Sequence, residues 1–363
     1  MGKGGNVQPM APAVGAISES TRSTLIDERK SKMAAGSQFH WASGEAIQEP
    51  HVQRRNAIVA AHPEVKRLFG PDHFTKYTVA FAMALQILSL HLLQGAPWYT
   101  WLFCCYTLSG TINHGLTLAM HEASHGLTAK GVTANRIIGI FANLSMGIPA
   151  SASFKRYHME HHRFQGEDTM DVDIPCEFEG WFFKNTARKI LWCFLQPLFY
   201  SLRPLIVNPK EPSKWEFINY GATITFNSII YYFFGLGGVA YLVCGTLLGM
   251  GVHPVAGHFI SEHYVMHDGQ ETYSYYGPLN WFTFHVGYHN EHHDFPFVTG
   301  KNLRKVRAMA PEFYDDIPHY HSWFKVIYDY IMDDKISPYS RMKRVTLENE
   351  EIERIRARGG LVK

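Results

Sequence analysis

The chain has 363 residues, which is room for one large domain or two ordinary ones. Its 34 Lys and Arg nearly balance 32 Asp and Glu, and a formal net charge of +2 argues against a nucleic-acid partner bound by bulk charge. The five cysteines form no CxxC pair, which argues against a disulfide framework or a zinc-thiolate site; they are Cys104, Cys105, Cys176, Cys193 and Cys244.

The N-terminal region divides into a tail and an amphipathic segment. Residues 1–37 are rich in Gly, Ser and Ala and have no apolar core, so we expect a disordered tail without a secretory signal. Gly2 belongs to an incomplete myristoylation motif because Asn6 replaces the preferred Ser or Thr. Residues 38–75 are expected to form an amphipathic segment on a membrane surface, with a helix through Ala57–Phe69.

Four apolar stretches are long enough to cross a hydrocarbon layer of about 30 Å. They form two pairs, and each pair is joined by a short uncharged loop. The sequence therefore predicts an all-α integral membrane protein with about four transmembrane helices in two hairpins. The stretches are Tyr77–Leu93, Trp98–Met120, Trp215–Phe234 and Val239–His253.

The basic residues lie between and after the hairpins, which places both termini and these segments in the cytosol. Two shorter apolar stretches, Ile137–Ala150 and Ile190–Val207, are interrupted by proline or arginine, and we favour helices in the membrane interface over further spans. The membrane domain is expected to cover residues 76–345, and a charged, solvated tail follows at residues 346–363.

Eight histidines fall in three short motifs, one HxxxH and two HxxHH. For a chain with 21 His in 363 residues, chance alone would give about 0.07 HxxHH motifs. Positions i, i+3 and i+4 of a helix share a face, so each motif directs its imidazoles toward a common point. The motifs comprise His121 and His125; His158, His161 and His162; and His289, His292 and His293.

Eight imidazoles exceed the four ligands of one zinc ion and suggest two metal ions. Imidazole suits iron, copper, nickel and zinc alike. The motifs sit where predicted spans emerge into the cytosol, which indicates a lipid substrate, and oxygen chemistry on a hydrocarbon chain requires a redox-active metal such as iron. We therefore predict a cytosolic helical cap that carries a His-rich di-iron site.

A ninth ligand is predicted near the fourth span. His258 and His263 are both candidates, but they are five positions apart and do not share a helical face. We favour His263 and leave His258 open. Carboxylates near the motifs are candidates to accept the second N–H of each imidazole; they are Glu122, Glu160, Asp168, Asp171, Glu291 and Asp294.

The order and flanking residues of the three motifs resemble the membrane fatty-acyl desaturase and hydroxylase superfamily. Longer strings, from about Phe39 to Arg344, are similar to the sphingolipid delta-4 desaturases. These strings are His121–His125, Ser153–His162, Asp171–Pro175, Gly257–Tyr264, Asn290–Pro296 and Ile336–Arg344.

The resemblance implies a reaction and its partners. Enzymes of this family convert dihydroceramide to ceramide by forming a trans C4–C5 double bond, with O2 as oxidant and two iron ions as cofactor, in the endoplasmic reticulum membrane. Electrons come from NADH through cytochrome b5 reductase and cytochrome b5. The chain has no His-Pro-Gly-Gly haem motif, so the resemblance implies a separate donor that docks on the basic cytosolic face.

Three other interpretations stay open. A sphinganine C4-hydroxylase or an acyl-chain desaturase of the same superfamily would use the same metal site. A metal transporter would place its ligands near the bilayer midplane on broken helices, whereas these motifs lie at or beyond the ends of the predicted spans. A non-catalytic lipid-binding relative would be favoured by a damaged motif, and all three motifs are intact.

Overall fold

A computed structural model describes residues 38–42 and 49–344. The predicted tails at residues 1–37 and 346–363, including Gly2, lie outside the described residues. The division of the rest at residue 75 stays a prediction.

The described part of the chain is mostly helical. Its helices are α1 (Pro50–Ala61), α2 (Thr75–Leu92), α3 (Trp98–Cys104), α4 (Gly110–Ser124), α5 (Val132–Asn143), α6 (Ser151–Arg163), α7 (Glu177–Phe182), α8 (Thr186–Val207), α9 (Lys214–Met250), α10 (Gly257–His263), α11 (His289–Asp294), α12 (Gly300–Met309) and α13 (Trp323–Met332). Short 3₁₀ turns connect several of them, at Pro63–Leu68, Leu144–Met146, Pro254–Ala256, Pro278–Phe282 and Pro311–Phe313.

The first predicted hairpin corresponds to α2 and to the continuous run of α3 and α4. A π-helical turn at Cys105–Ser109 joins α3 to α4. At this turn Ser109 donates a hydrogen bond to the carbonyl of Tyr241, at 3.2 Å. The first hairpin thereby packs against α9, which carries the second hairpin.

The second predicted hairpin lies within α9, where one glycine interrupts the helix. Gly235 has φ 65° and ψ −168°, a conformation that residues with a side chain rarely adopt. The interruption falls in the predicted uncharged loop and separates the two predicted arms. The second arm ends at Met250, a little before the predicted end at His253.

Membrane-spanning character is clearest in α8 and α9, the two described helices that are long and apolar enough to cross a bilayer. The segments Val132–Met146 and Ser151–Arg163 meet the same criteria as a pair bent by 114°. Helix α8 contains Ile190–Val207, for which the sequence favoured a helix in the membrane interface. Its 22 residues are also long and apolar enough to cross a bilayer. Large apolar side chains face outward, including Trp98 at 76% and Tyr232 at 82% exposure, as expected of a lipid-facing surface.

Two buried clusters hold the other helices together. One cluster includes Trp192, Trp323 and Tyr330, and the other joins Ile58 of α1 to Phe295 and to α12. The prediction of a purely helical fold needs one correction: β1 (His40–Trp41) and β2 (Met342–Lys343) form a short parallel pair. This pair ties the beginning of the described chain to its end.

Candidate metal centre

The first histidine motif lies at the C-terminal end of α4. His121 occupies the last turn, and His125 follows the final helical residue. The helix ends there because Gly126 adopts φ 77°, the left-handed conformation that commonly terminates helices. The two imidazoles, four positions apart, lie on one face, with ring centroids 4.9 Å apart.

The second and third motifs each direct their histidines in two directions. On α6, His158 and His162 share a face, whereas His161 is turned by about 100° from His162. On α11, His289 and His293 are four positions apart and face one side, whereas His292 faces the other. Each of these two helices therefore directs its histidines to two separate places.

Five histidines converge in the first cluster, with one nitrogen of each within 4.8 Å of all the others. The Nε2 atom of His158 lies 2.8 Å from that of His125 and 3.1 Å from that of His162. The Nε2 atoms of His162 and His292 are also 3.1 Å apart. This five-histidine cluster consists of His121, His125, His158, His162 and His292.

The second cluster gathers His161, His263 and His293 within the same 4.8 Å limit. The Nε2 atom of His263 lies 3.0 Å from that of His161 and 2.9 Å from that of His289. His289 therefore adjoins the three, and we call these four residues the four-histidine cluster. Together the two clusters contain all eight motif histidines and one of the two candidates for the ninth ligand.

The nitrogen atoms in both clusters are spaced as metal ligands are. Two ligands bound at about 2.1 Å to one ion, at right angles, are about 3 Å apart, and the observed separations run from 2.8 to 3.1 Å. His121 Nε2 and His293 Nε2 are buried without a hydrogen-bond partner among the described residues, a costly state for a polar atom that a metal ion would relieve. The residues present therefore fit two ions.

The structure separates the two candidates for the ninth ligand. His263 belongs to the four-histidine cluster, whereas His258, which the sequence also offered as a ligand, belongs to neither cluster. Five positions on a helix amount to a rotation of about 140°, so His258 points elsewhere. Its Nδ1 lies 2.6 Å from Glu262 Oε1, and its ring packs against His114, with centroids 4.8 Å apart.

One of the six predicted carboxylates contacts a motif histidine: Asp171 Oδ1 lies 3.0 Å from His161 Nδ1. Glu262, which the sequence did not single out, lies 3.5 Å from His289 Nδ1. Among the described residues the other five have different partners. Four of them stand next to a histidine on a helix and so point about 100° away from it, and Asp168 lies in the loop after α6. Glu122 accepts from Gly300 N, Glu160 pairs with Lys210, Asp168 with Lys343, Glu291 with Ser274 and Tyr276, and Asp294 with His51, Arg54 and Tyr314.

Burial keeps four of these histidines uncharged. It lowers the pKa of His263, His289, His292 and His293 well below the ordinary value, and neighbouring histidines lower it further. These imidazoles are therefore neutral at pH 7 and have a lone pair available for a metal ion. At Asp294 burial opposes ionisation, but Arg54 and His51 outweigh it and keep the pKa below its ordinary value.

Comparison with known proteins agrees with this arrangement. Residues 96–324 match the sequence model of fatty acid desaturases, and residues 36–74 match that of sphingolipid delta-4 desaturases. The mouse (Mus musculus) sphingolipid delta(4)-desaturase DES1 is 53% identical over 87% of this chain and 98% of its own. The chain belongs to the sphingolipid delta-4 desaturase family.

Two further relatives of this desaturase family have names that give different activities. The human (Homo sapiens) sphingolipid delta(4)-desaturase DES1 is 51% identical over 84% of this chain and 94% of its own. The rat (Rattus norvegicus) sphingolipid delta(4)-desaturase/C4-monooxygenase DES2 is 50% identical over 86% of this chain and 96% of its own. The chain is therefore an oxidoreductase of sphingolipid metabolism, and overall identity does not separate the two kinds of relative.

Proposed function

We propose that the chain is a membrane sphingolipid delta-4 desaturase that converts dihydroceramide to ceramide at a di-iron centre. The observation that carries the proposal is the convergence of nine histidines into two adjacent clusters, His161 and His162 being consecutive residues that serve different clusters. Imidazole and the spacing of the ligands suit iron, and two bound irons would supply the activation of O2. The metal transporter is disfavoured because these ligands lie in a cap and on helix ends.

The reaction balances with one external reductant. Dihydroceramide loses one hydrogen each from C4 and C5, and O2 is reduced to two waters with two electrons from the lipid and two from NADH. The chain's own contribution is to hold the two metal sites at fixed separation, to orient the lipid and to keep bulk water out. Six histidines of the two clusters are at most 7% exposed, which suits a site that excludes bulk water. They are His121, His161, His263, His289, His292 and His293.

Apolar side chains lie beside the five-histidine cluster, where the substrate chain would approach. Leu118, Phe284 and Val286 adjoin His121 and His292 there.

In this proposal the four spans are α2, the α3–α4 run and the two arms of α9, and both termini lie in the cytosol. The membrane is that of the endoplasmic reticulum. Because His161 before α8 and His263 after α9 lie in one cluster, α8 stays on the cytosolic side of the membrane in this proposal, and cysteine accessibility at both of its ends tests this.

Electrons reach the site from a separate protein in this proposal. Cytochrome b5, reduced by its NADH-dependent reductase, would dock on the cytosolic face of the cap. Exposed lysines and arginines on α12, such as Lys301, Arg304 and Lys305, offer charge complementary to an acidic donor.

Product analysis tests the proposal. The chain and its His292→Ala variant are expressed in cells that lack their own delta-4 desaturase, and sphingoid bases are measured by mass spectrometry. We expect 4,5-unsaturated base from the intact chain and none from the variant at equal protein level. No change in any sphingoid base, with cytochrome b5 supplied, would contradict the proposal.

C4 hydroxylation is a second candidate activity. It is favoured by one observation, the 50% identity to the rat relative named as both desaturase and C4-monooxygenase. The same experiment measures 4-hydroxylated base alongside the unsaturated base. Formation of hydroxylated base alone would keep the metal centre and change the assigned product.

A further inference from the structure

The N-terminal helix α1 contacts the metal centre through buried polar side chains. It belongs to residues 36–74, the segment that matches the sphingolipid delta-4 desaturases, and the sequence suggested only a membrane-surface role for it. His51 is 3% exposed and faces α11, the helix of the third histidine motif. A buried histidine and a largely buried arginine, Arg54 at 15% exposure, require a reason, because burying them costs free energy unless they are paired.

Their partner is Asp294, the residue directly after His293. Arg54 donates from Nε to Asp294 Oδ2 at 2.7 Å and from Nη2 to Oδ1 at 3.0 Å. His51 Nδ1 lies 2.8 Å from the same Oδ1, and Tyr314 donates to Oδ2 at 2.8 Å. The Asp294 side chain is fully buried, so these contacts fix the end of α11 in place.

The contacts continue to a second metal ligand. His51 Nε2 lies 3.0 Å from Thr272 Oγ1, and Thr272 Oγ1 lies 3.5 Å from His263 Nδ1, the outer limit of a hydrogen bond. His51 therefore stands between Asp294 and the hydroxyl that contacts His263. We call His51, Arg54, Thr272 and Asp294 the N-terminal clasp.

The order of donors in the clasp follows from the carboxylate. Asp294 can only accept, and Arg54 Nη2, which lies 3.0 Å from His51 Nδ1, has Asn290 Oδ1 and Asp294 Oδ1 as its acceptors. We therefore infer that His51 donates from Nδ1 and accepts from the Thr272 hydroxyl at Nε2. The Thr272 oxygen then accepts from His263 Nδ1–H. This leaves the lone pair of His263 on Nε2, the nitrogen that points into the four-histidine cluster.

We propose that the N-terminal clasp is a positioning device for the four-histidine cluster: Arg54 orients His293 through Asp294, and His51 fixes the tautomer of His263 through Thr272. The inference rests on the proposed metal centre and adds residues that no histidine motif contains. Partners of this kind typically contribute 10–100-fold, as an order of magnitude, to metal affinity.

Iron titration of the metal-free, detergent-purified full chain tests the proposal. We expect Thr272→Val to bind a first equivalent of Fe²⁺ as the unaltered chain does and a second about 10–100-fold more weakly. Thr272→Ser, which restores the hydroxyl, should bind both normally. Arg54→Gln should resemble Thr272→Val, whereas the same change at the neighbouring half-buried Arg55 should leave both affinities unchanged.

A purely structural role is separated by thermal unfolding. The metal-free Thr272→Val protein should unfold at the same temperature as the unaltered metal-free protein and gain less from iron, since a ligand stabilises only in proportion to its binding. Normal binding of two equivalents by both Thr272→Val and Arg54→Gln would overturn the clasp alone. Equal impairment in Arg54→Gln and Arg55→Gln would also overturn it, and failure of the unaltered chain to bind iron would overturn the metal centre itself.

Discussion

The two histidine clusters are built in different ways. The five-histidine cluster takes four of its histidines from α4 and α6, two helices in contact with each other, and needs α11 only for His292. The four-histidine cluster takes three of its histidines from the short helices α10 and α11. Six- and seven-residue helices have little stability of their own, so the second cluster depends on contacts from elsewhere in the chain.

Those contacts come from both ends of the described chain. The N-terminal clasp reaches α11 from residues 51 and 54, and Arg341 and Arg344 reach the loop that contains Asp171. Arg344 donates from Nη1 to Glu271 Oε2 at 2.7 Å and to Gln165 O at 3.3 Å, and its backbone N–H donates to Gly166 O at 2.7 Å. Two clusters built from the same type of side chain can therefore depend on very different parts of the chain for their support.

The largest effect is expected from removing a ligand of either cluster. His292→Ala in the first and His161→Ala in the second should each lower product formation by more than the roughly 100-fold typical of an outer partner, because each removes a nitrogen that converges on a metal position. Sphingoid-base analysis at matched protein level measures it. Activity within tenfold of normal in either variant would remove that histidine from the centre.

A smaller loss is expected when the C-terminal support is broken. Arg344→Gln leaves Glu271 without its buried partner, and breaking such a pair costs about 3–5 kcal/mol. We expect a lower unfolding temperature in detergent. The iron of the four-histidine cluster (the second iron) should be lost before the iron of the five-histidine cluster (the first iron). Lys305→Gln, which removes an exposed positive charge, is the control, and equal loss of both irons in the Arg344 variant would contradict the comparison.

Asp171→Asn should have an effect of about 10–100-fold on the affinity for the second iron. The carboxylate at 3.0 Å holds the Nδ1–H of His161, and an amide presents that position with a weaker acceptor or with a donor. Competition with a chelator measures the two affinities separately. A larger change at the first iron than at the second would show that the two clusters are not supported independently.

The smallest effect is expected at His258. His258→Gln should retain both irons, and its iron affinity should fall by less than about tenfold, the lower limit for a residue that positions a ligand. His263→Gln should lose the iron of the four-histidine cluster. Metal analysis of the two proteins side by side checks this. Loss of one iron from the His258 variant would restore it as a ligand.

The sequence was informative wherever spacing along one helix determined the geometry. The three motifs indicated eight histidines that the structure brings together, because residues three and four apart share a face whatever the tertiary fold. It did not decide between His258 and His263, since that choice depends on how α10 is placed against α6 and α11. Glu262 carried no signal, because its role depends on the same packing.

Long-range contacts were beyond sequence reasoning for the same reason. His51 and Asp294 are 243 positions apart, and no local pattern links them. Apolar length and uncharged loops predicted two hairpins, and the interruption of α9 at Gly235 falls in one of the predicted loops. The position of α8 did not follow, since prolines within a helix of 22 residues suggested an interfacial helix where length and composition allow a span.

The parallel pairing of His40 with Met342 has a consequence for biosynthesis. A ribosome delivers four ligands of the five-histidine cluster once residue 162 has emerged, but it delivers the arginines that support the Asp171 loop about 180 residues later, at roughly 5–20 residues per second. Until then β1 has no strand to pair with. The two iron sites should therefore mature in order, and nascent chains stalled before residue 341 should acquire no stable second site.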